Sequence, residues 1–491
     1  GSWQFLPPSE IERVEVVRGP RTSVYGSDAI GGVIQVFSRE GRKGPPRVNA
    51  FLGGGSFNTR EAGAGVAGGT DNTTYSVSFS HFDTDGIDVQ TGVGDDDRDG
   101  YRNTSVSSKA SHRLHDGLEL FGNVLYSRGT TEFDGFTDET DFEHAALRGG
   151  VRFSPVESWD SEIALAHSRD ANDNFANGAL NSVFDTRRNQ IDWRNDLRIG
   201  ARSMIVAGLD AYEDRVDSTT DFDEDSRYNV GGYATLQTGA GANDFEFSLR
   251  LEENEQFGSE TTGQLAWGAE VADGLRLRAS GGTAFNAPSF NQLYFPGFGN
   301  PALEPEDSRS FELGVRYDAG QWHADVAVFR TRVDDLIVNV PGPNGLIPEN
   351  FDEARIRGVE VETGYRVGAW RARTSVTVLD TEDRATGNEL PRRAPATGRL
   401  DIDRSWGRVS LGGTLVARSR SFNDADNTER LAGHATVDLR ATYAVTPEWT
   451  LEGSVENLFD RDYVLARNSF QDADYNTPGR AAFVKLRYEQ R

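Results

Sequence analysis

The sequence contains no cysteine, which excludes disulfides, thiolate zinc sites and cysteine nucleophiles. Its one methionine is Met204, so the chain does not open on an initiator, and processing or truncation is expected to have removed what precedes Gly1. No run of 18 or so apolar residues occurs, which excludes transmembrane helices. Positive charge is scarce: 51 Lys and Arg stand against 77 Asp and Glu, a net charge of −26. Nucleic acid is thereby excluded as a partner, because phosphate recognition needs a basic surface. The excess suits a solvated acidic surface, one able to hold divalent cations. Catalytic signatures are missing as well. The seven histidines are scattered, and neither H-E-x-x-H nor G-x-S-x-G occurs. The segment Gly26–Gly32 has the spacing of a phosphate loop, but Gly32 stands where the lysine belongs. Nothing in the sequence points to an enzyme.

What is present is a rhythm. By length alone 491 residues suggest about two to four ordinary domains, yet from about Pro46 onward one pattern persists. In 370–378, Trp370, Ala372, Thr374, Val376 and Val378 alternate with Arg371, Arg373, Ser375 and Thr377. The stretches 275–280, 435–443 and 449–456 do the same, as expected of strands with one apolar and one polar face. Short turns (114–117, 154–159, 240–243, 318–321, 367–369, 445–448) alternate with longer polar connections (85–100, 132–142, 172–185, 217–226, 286–306, 340–352, 381–392, 421–431, 460–477). This pattern predicts an all-β, transmembrane antiparallel barrel of about 22 strands, with short turns on one side and long loops on the other. Trp322, Trp370, Tyr443, Trp449 and Tyr488 fall near strand ends, where interfacial girdles sit. A soluble propeller or solenoid would need a repeat of about 20–50 residues, and none is found.

The segment 11–40, IERVEVVRGPRTSVYGSDAIGGVIQVFSRE, reads as strand, turn, short helical turn, glycine turn and strand. It resembles the last part of the plug domain of TonB-dependent outer-membrane receptors, through Arg18, Gly19, Pro20, Tyr25, Gly26, Gly31 and Gly32. The stretches 286–317, 355–362, 390–395, 455–463 and 475–488 are similar to the barrel strands of the same family. Strand order and loop lengths look closest to its cobalamin transporters, chiefly through 83–134. The resemblance implies a division into the C-terminal part of a plug (1–40), a linker (41–46) and a barrel (47–491). It implies a Gram-negative outer-membrane location and TonB-dependent active uptake of a large scarce nutrient, cobalamin foremost. A siderophore receptor, or a passive channel in a shortened form, stays open. Implied partners are the TonB protein, the nutrient, and outer-membrane lipid and lipopolysaccharide around a monomer. A complete family member carries more plug and a TonB box ahead of this segment. The family also ends on an aromatic, whereas Tyr488 stands three residues from the end.

Site residues follow. Gly26, Gly31 and Gly32 would allow positive φ and close approach in a plug wedged against the wall, although each alone suits an ordinary turn. Arg18 and Arg21 would pair with lumen carboxylates such as Glu360 and Glu362. Asp95, Asp97 and Asp99 open like an EF-hand loop, but Val106 replaces its closing Glu, so an EF-hand is excluded. Calcium held with help from other loops remains one reading of them, and a solvated acidic loop the other. Asp221, Asp223 and Asp225 form a second such candidate. Phe133, Phe136, Tyr294, Phe295 and Phe298 are candidate contacts for a large ligand, and they suit packing against one another equally.

Overall fold

The computed structural model describes residues 6–490, apart from 20, 28, 95, 96, 343, 344 and 470. Pro20 and Asp95 of the candidate residues therefore lie outside the described residues. Twenty-two antiparallel strands form a closed barrel. Each strand pairs with its sequence neighbour, and the last, Ala481–Glu489, closes onto the first, Gly44–Gly55. The alternation seen in the sequence decides which side chains face which way. In the strand Asn243–Asn254, Phe247, Leu249 and Leu251 are 45, 54 and 60% exposed, while Ser248, Arg250 and Glu252 are buried. A water-soluble domain would invert this. Here the apolar face meets hydrocarbon and the polar face fills the lumen.

The turns at one end are tight, as at 116–117, 273–274 and 368–369. The five aromatics expected at an interface gather at this end: Trp449 pairs with Tyr488 in register, with rings 5.0 Å apart. Trp322, Trp370 and Tyr443 face outward beside them, and Arg404 lies over Trp370 and Trp406 at 4.8 and 4.3 Å.

Two of the long connections expected at the other end are strands instead. Trp159–Ala176 and Ala179–Gly200 run on to a two-residue turn, Asn177–Gly178, whose φ angles are 52° and 74°. Asn-Gly adopts this doubly left-handed turn readily, and its twist matches the flanking strands. Likewise Trp322–Gly342 and Gly345–Val367 extend through most of 340–352. The polar composition of 172–185 and 340–352 reflects exposure to water on both faces above the membrane, which does not preclude a ladder.

The N-terminal segment lies in the lumen. A 3-10 turn, Pro8–Glu10, leads into β1 (Ile11–Arg18), which pairs antiparallel with β2 (Gly32–Ser38). Between them the short helix α1 (Thr22–Tyr25) touches four wall strands between Ser226 and Asn286. Glu10, only 3% exposed, accepts hydrogen bonds from Ser78 and Ser107 of the wall. The first barrel strand begins at Gly44, opposite Gly69, and regular pairing resumes at Arg47. Pro45 and Pro46 cannot donate to a ladder, and the irregularity falls on them.

Candidate functional site

Three features meet at the loop-bearing mouth and the lumen below it. The first is the seat of the plug. Arg250 projects inward from its strand with 2% of its side chain exposed and forms a fork onto Asp210, 2.7 Å through each terminal nitrogen. Its Nε donates to Glu252 at 2.5 Å. Glu252 also accepts from the Asn229 amide at 2.5 Å and from the Ser27 backbone N–H of the plug at 3.4 Å. A side chain at Gly26 would bring its Cβ to 3.2 Å from the Arg250 guanidinium, at a φ of +85°. Gly26 thus sits where a plug turn must pass close over a buried ion-pair network.

The other plug residues fall into place around this seat. Arg18 pairs with Glu360, and with Glu362 at 3.3 Å. Arg21 instead reaches Glu246 at 3.8 Å, because α1 turns its start toward a different part of the wall. Gly19, at φ +79°, donates its N–H to the Gly31 carbonyl and closes the loop. The Tyr25 hydroxyl accepts from Gln35 of β2 at 2.8 Å. Gly32 has φ +139°, and a Cβ there would strike the Val17 carbonyl at 2.4 Å. Gly31 shows neither constraint: its φ is not left-handed and nothing lies within 4 Å of a Cβ there.

The second feature is acidic. Carboxylate oxygens of Asp88, Asp99 and Asp134 lie within 4.8 Å of one another. Asp99 accepts from the Val89 N–H at 2.6 Å, while the Gln90 N–H donates to Asp88 and Asp134, each at 2.9 Å. Asn476, from the last long loop, clamps the segment through the Asp88 carbonyl and the Thr91 hydroxyl at 2.9 and 2.8 Å. Burial pushes the Asp99 carboxyl up to about 6, with repulsion from Asp134, Asp97 and Asp88 adding to it. Asp97 is thus near but not in the converging trio. Gln90 is 1% exposed, and among the described residues neither side-chain polar atom has a hydrogen-bond partner. Among the described residues, Asp221, Asp223 and Asp225 do not converge in this way.

The third feature is aromatic. The loop 287–305 carries α2 (Phe290–Tyr294), started by a capping box between Ser289 and Gln292. Phe295 follows it and packs on Phe184 and Phe222, with centroids 6.1 and 6.2 Å away. The Tyr294 hydroxyl accepts from Gln256 at 2.6 Å, and the Phe298 N–H donates to the Phe295 carbonyl at 3.1 Å. Phe133 and Phe136 lie on the separate tip 133–138, where Phe136 is 98% exposed. The five aromatics therefore occupy two loops, and Phe295 is committed to packing.

The barrel of residues 47–458 matches a family described as TonB dependent receptor-like, β-barrel, and residues 1–33 match the TonB-dependent Receptor Plug Domain. The chain belongs to the TonB-dependent receptors. It is 30% identical over 504 residues to the vitamin B12 transporter BtuB of Photobacterium profundum, covering 100% of this chain and 82% of that protein. The vitamin B12 transporter BtuB of Vibrio vulnificus is 29% identical over 501 residues, covering 99% and 80%. Among solved structures, the siderophore receptor PirA of Acinetobacter baumannii superposes with a TM-score of 0.86 at 19% identity, over 100% of this chain and 86% of that one. The copper transporter OprC gives 0.85 at 19% identity, over 99% and 86%. At such identities these structures speak for the fold.

As a TonB-dependent receptor of the Gram-negative outer membrane, the protein has its loops on the outer side and its tight turns facing the periplasm. Sequence reasoning missed Asp88 and Asp134, because neither belongs to the Asp-x-Asp pattern. Strand register unites them: Tyr101 faces Thr131, which carries Asp99 toward the loop that holds Asp134. Arg250 and Asp210 went unnoticed for the same reason, being 40 residues apart on strands that are not adjacent. An arginine inside an alternating strand was the available signal.

Proposed function

We propose that this receptor takes up cobalamin, or a close corrinoid, by TonB-driven active transport as a monomer surrounded by outer-membrane lipid and lipopolysaccharide. The reading is carried by one observation: two vitamin B12 transporters resemble the chain along its length at 30 and 29% identity. The geometry of the mouth suits it. Tyr294, Phe298 and Phe136 offer apolar surface for a large ligand, and most binding surfaces of this kind combine such faces with a few polar groups.

The trio Asp88, Asp99 and Asp134 would hold calcium at the same mouth. Calcium takes six to eight oxygen ligands, carboxylates foremost, and a dication offsets the repulsion that these three exert on one another. The adjacent buried Gln90 amide, with no hydrogen-bond partner among the described residues, offers a further oxygen for such an ion. Bound there, calcium would tie the 88–99 segment to the 133–138 tip and so fix the outer surface against which the ligand docks.

Equilibrium binding of cyanocobalamin to the full-length receptor, followed by tryptophan fluorescence, tests the assignment. Saturable binding at or below micromolar concentration is expected. No binding at that concentration, or binding of a ferric siderophore in its place, sinks the corrinoid reading. Phe136→Ala gives a finer check. Because Phe136 is 98% exposed, its loss leaves the unfolding midpoint unchanged, while cobalamin affinity falls by about fivefold, the worth of one aromatic contact.

A further inference from the structure

The tight-turn end of the barrel concentrates positive charge on its lumen side. In the strands Gly345–Val367 and Trp370–Asp383, Tyr365, Trp370 and Val376 face outward, 48, 45 and 38% exposed. Alternation therefore points Arg366, Arg371 and Arg373 into the lumen. Arg366 stands directly opposite Arg371 in the ladder, and Arg373 opposite Gly364. All of them lie close to the turn 368–369, at the periplasmic mouth.

Like charges directly opposite on one face of a sheet destabilise it, and here nothing offsets them. Among the described residues, none of these arginine side chains makes an ion pair or a hydrogen bond. The neighbouring carboxylates are already engaged. Asp403, opposite Arg371, pairs with Arg440 at 2.6 Å, and Asp401, opposite Arg373, pairs with Arg399 at 2.7 Å. Asp318 pairs with Arg316 and His323 at 2.8 and 2.7 Å, and Glu362 with Arg18 of the plug at 3.3 Å. In a chain of net charge −26, a run of uncompensated guanidinium groups on one lumen wall calls for an anion from outside the chain.

The arginines rim a hollow of about 520 Å³. Gly364, between His323 and Arg373 in register, keeps its floor open: a Cβ there meets only the His323 Cβ, at 3.9 Å. A second hollow, of about 540 Å³, runs between β1 of the plug and the wall, lined by Arg18, Arg21 and Arg278. Glu362 is common to both, so the space beside the plug continues to the arginines and the periplasm. Guanidinium forks converging from two strands offer donors on several sides. That suits a tetrahedral phosphate better than a planar carboxylate.

We propose that this periplasmic floor of the lumen is a second binding site, for a phosphate group. A solute that passes the plug along the wall meets the arginines last, and its phosphate is held there before release. Two sources share that chemistry: the phosphodiester of a transported corrinoid, or a small phosphate ester already in the periplasm. The site itself rests on the outer-membrane placement, and only its assignment to the nutrient rests on the corrinoid reading.

Phosphorus NMR of inorganic phosphate and dimethyl phosphate, titrated with the receptor in detergent at low salt, tests it. Line broadening that saturates with millimolar affinity and fades as salt is raised is expected. Arg371→Gln with Arg373→Gln removes two donors to a charged group and weakens binding by about tenfold or more. The same exchange relieves the opposed pair, so the unfolding midpoint does not fall. Arg113→Gln with Arg408→Gln removes the same charge elsewhere at the tight-turn end, and binding is expected to persist. Gly364→Leu keeps every charge, fills the hollow and loses the phosphate, which decides the matter should the arginine variant fail to fold. Displacement of the probe by cyanocobalamin but not by cobinamide, a corrinoid without the phosphodiester, assigns the site to the nutrient on its way out. Displacement by neither, with binding still lost in Gly364→Leu, supports the site and assigns it to a free phosphate ester, whatever the mouth transports. No saturable broadening, or equal loss in the two arginine variants, overturns the proposal.

Discussion

Replacing Arg250 by alanine is expected to destabilise the receptor by about 3–5 kcal/mol, the usual cost of leaving buried charges unpaired. The guanidinium is the partner of both Asp210 and Glu252, whose side chains are 15 and 4% exposed. Without it, two carboxylates face each other in a region closed over by the plug. The double replacement Asp210→Asn with Glu252→Gln in the alanine background is expected to recover most of the loss, because neutral amides leave no charge to compensate. Denaturant unfolding followed by tryptophan fluorescence measures both. A loss below about 1 kcal/mol, the value of an exposed ion pair, would show that water reaches the network. The same replacement loosens the plug: Glu252 is the acceptor for the Ser27 N–H, and limited proteolysis is expected to cut near Ser27 in the variant first.

Chelation of calcium is expected to abolish cobalamin binding at micromolar concentration, and mild acid to weaken it. The Asp99 carboxyl titrates at about 6, above its ordinary 3.8. A raised carboxylate pKa means that the folded loop prefers the proton. Without metal, the stability of this segment therefore falls as pH rises from about 3.8 to 6, and the repulsion is fully present at pH 7. Calcium requires the ionised form, so its affinity runs the opposite way. Calcium binding should be constant above about pH 7 and fall by about tenfold per unit below 6, one proton displacing the ion at Asp99. Calorimetric titration with calcium at about pH 7.5 and about pH 5, on the native protein and on Asp99→Asn, reads this out. Equal affinities at the two pH values in the native protein would remove Asp99 from the calcium site.

Much of the architecture was legible because a membrane barrel writes its period into every strand. Phe247, Leu249 and Leu251 alternating with Ser248, Arg250 and Glu252 is the whole argument in one segment, and it repeats around the wall. The strand count and the periplasmic aromatics follow from the same pattern. Extension above the membrane was harder to read, since around Asn177–Gly178 both faces of the hairpin meet water and alternation fades. The Asn-Gly pair itself was the sign of a tight turn. At the mouth, sequence adjacency is a poor guide. Asp97 and Asp99 share a motif, yet the structure groups Asp99 with Asp88 and Asp134, which neighbouring hairpins supply. Phe295 lay open between ligand contact and packing, and its contacts with Phe184 and Phe222 depend on loops far apart in the chain.

The pairing of β1 with β2 also determines how the plug responds to tension. Ile11 and Ser38 are partners at one end of the ladder, and Arg18 and Gly32 at the other. The segment ahead of Ile11 and the segment joining Ser38 to the wall at Gly44 thus leave from the same end. A pull on the former, resisted by the latter, loads the hydrogen bonds one after another, as in opening a zipper, and does not shear them together. Sequential rupture needs far less force than simultaneous rupture of the same bonds. The yielding front would travel from Ile11 toward Arg18, where the pairs with Glu360 and Glu362 are the next anchorage. The plug is thereby built to give way in steps while the barrel that surrounds it, closed on itself, serves as the fixed anchor against which the pull is resisted.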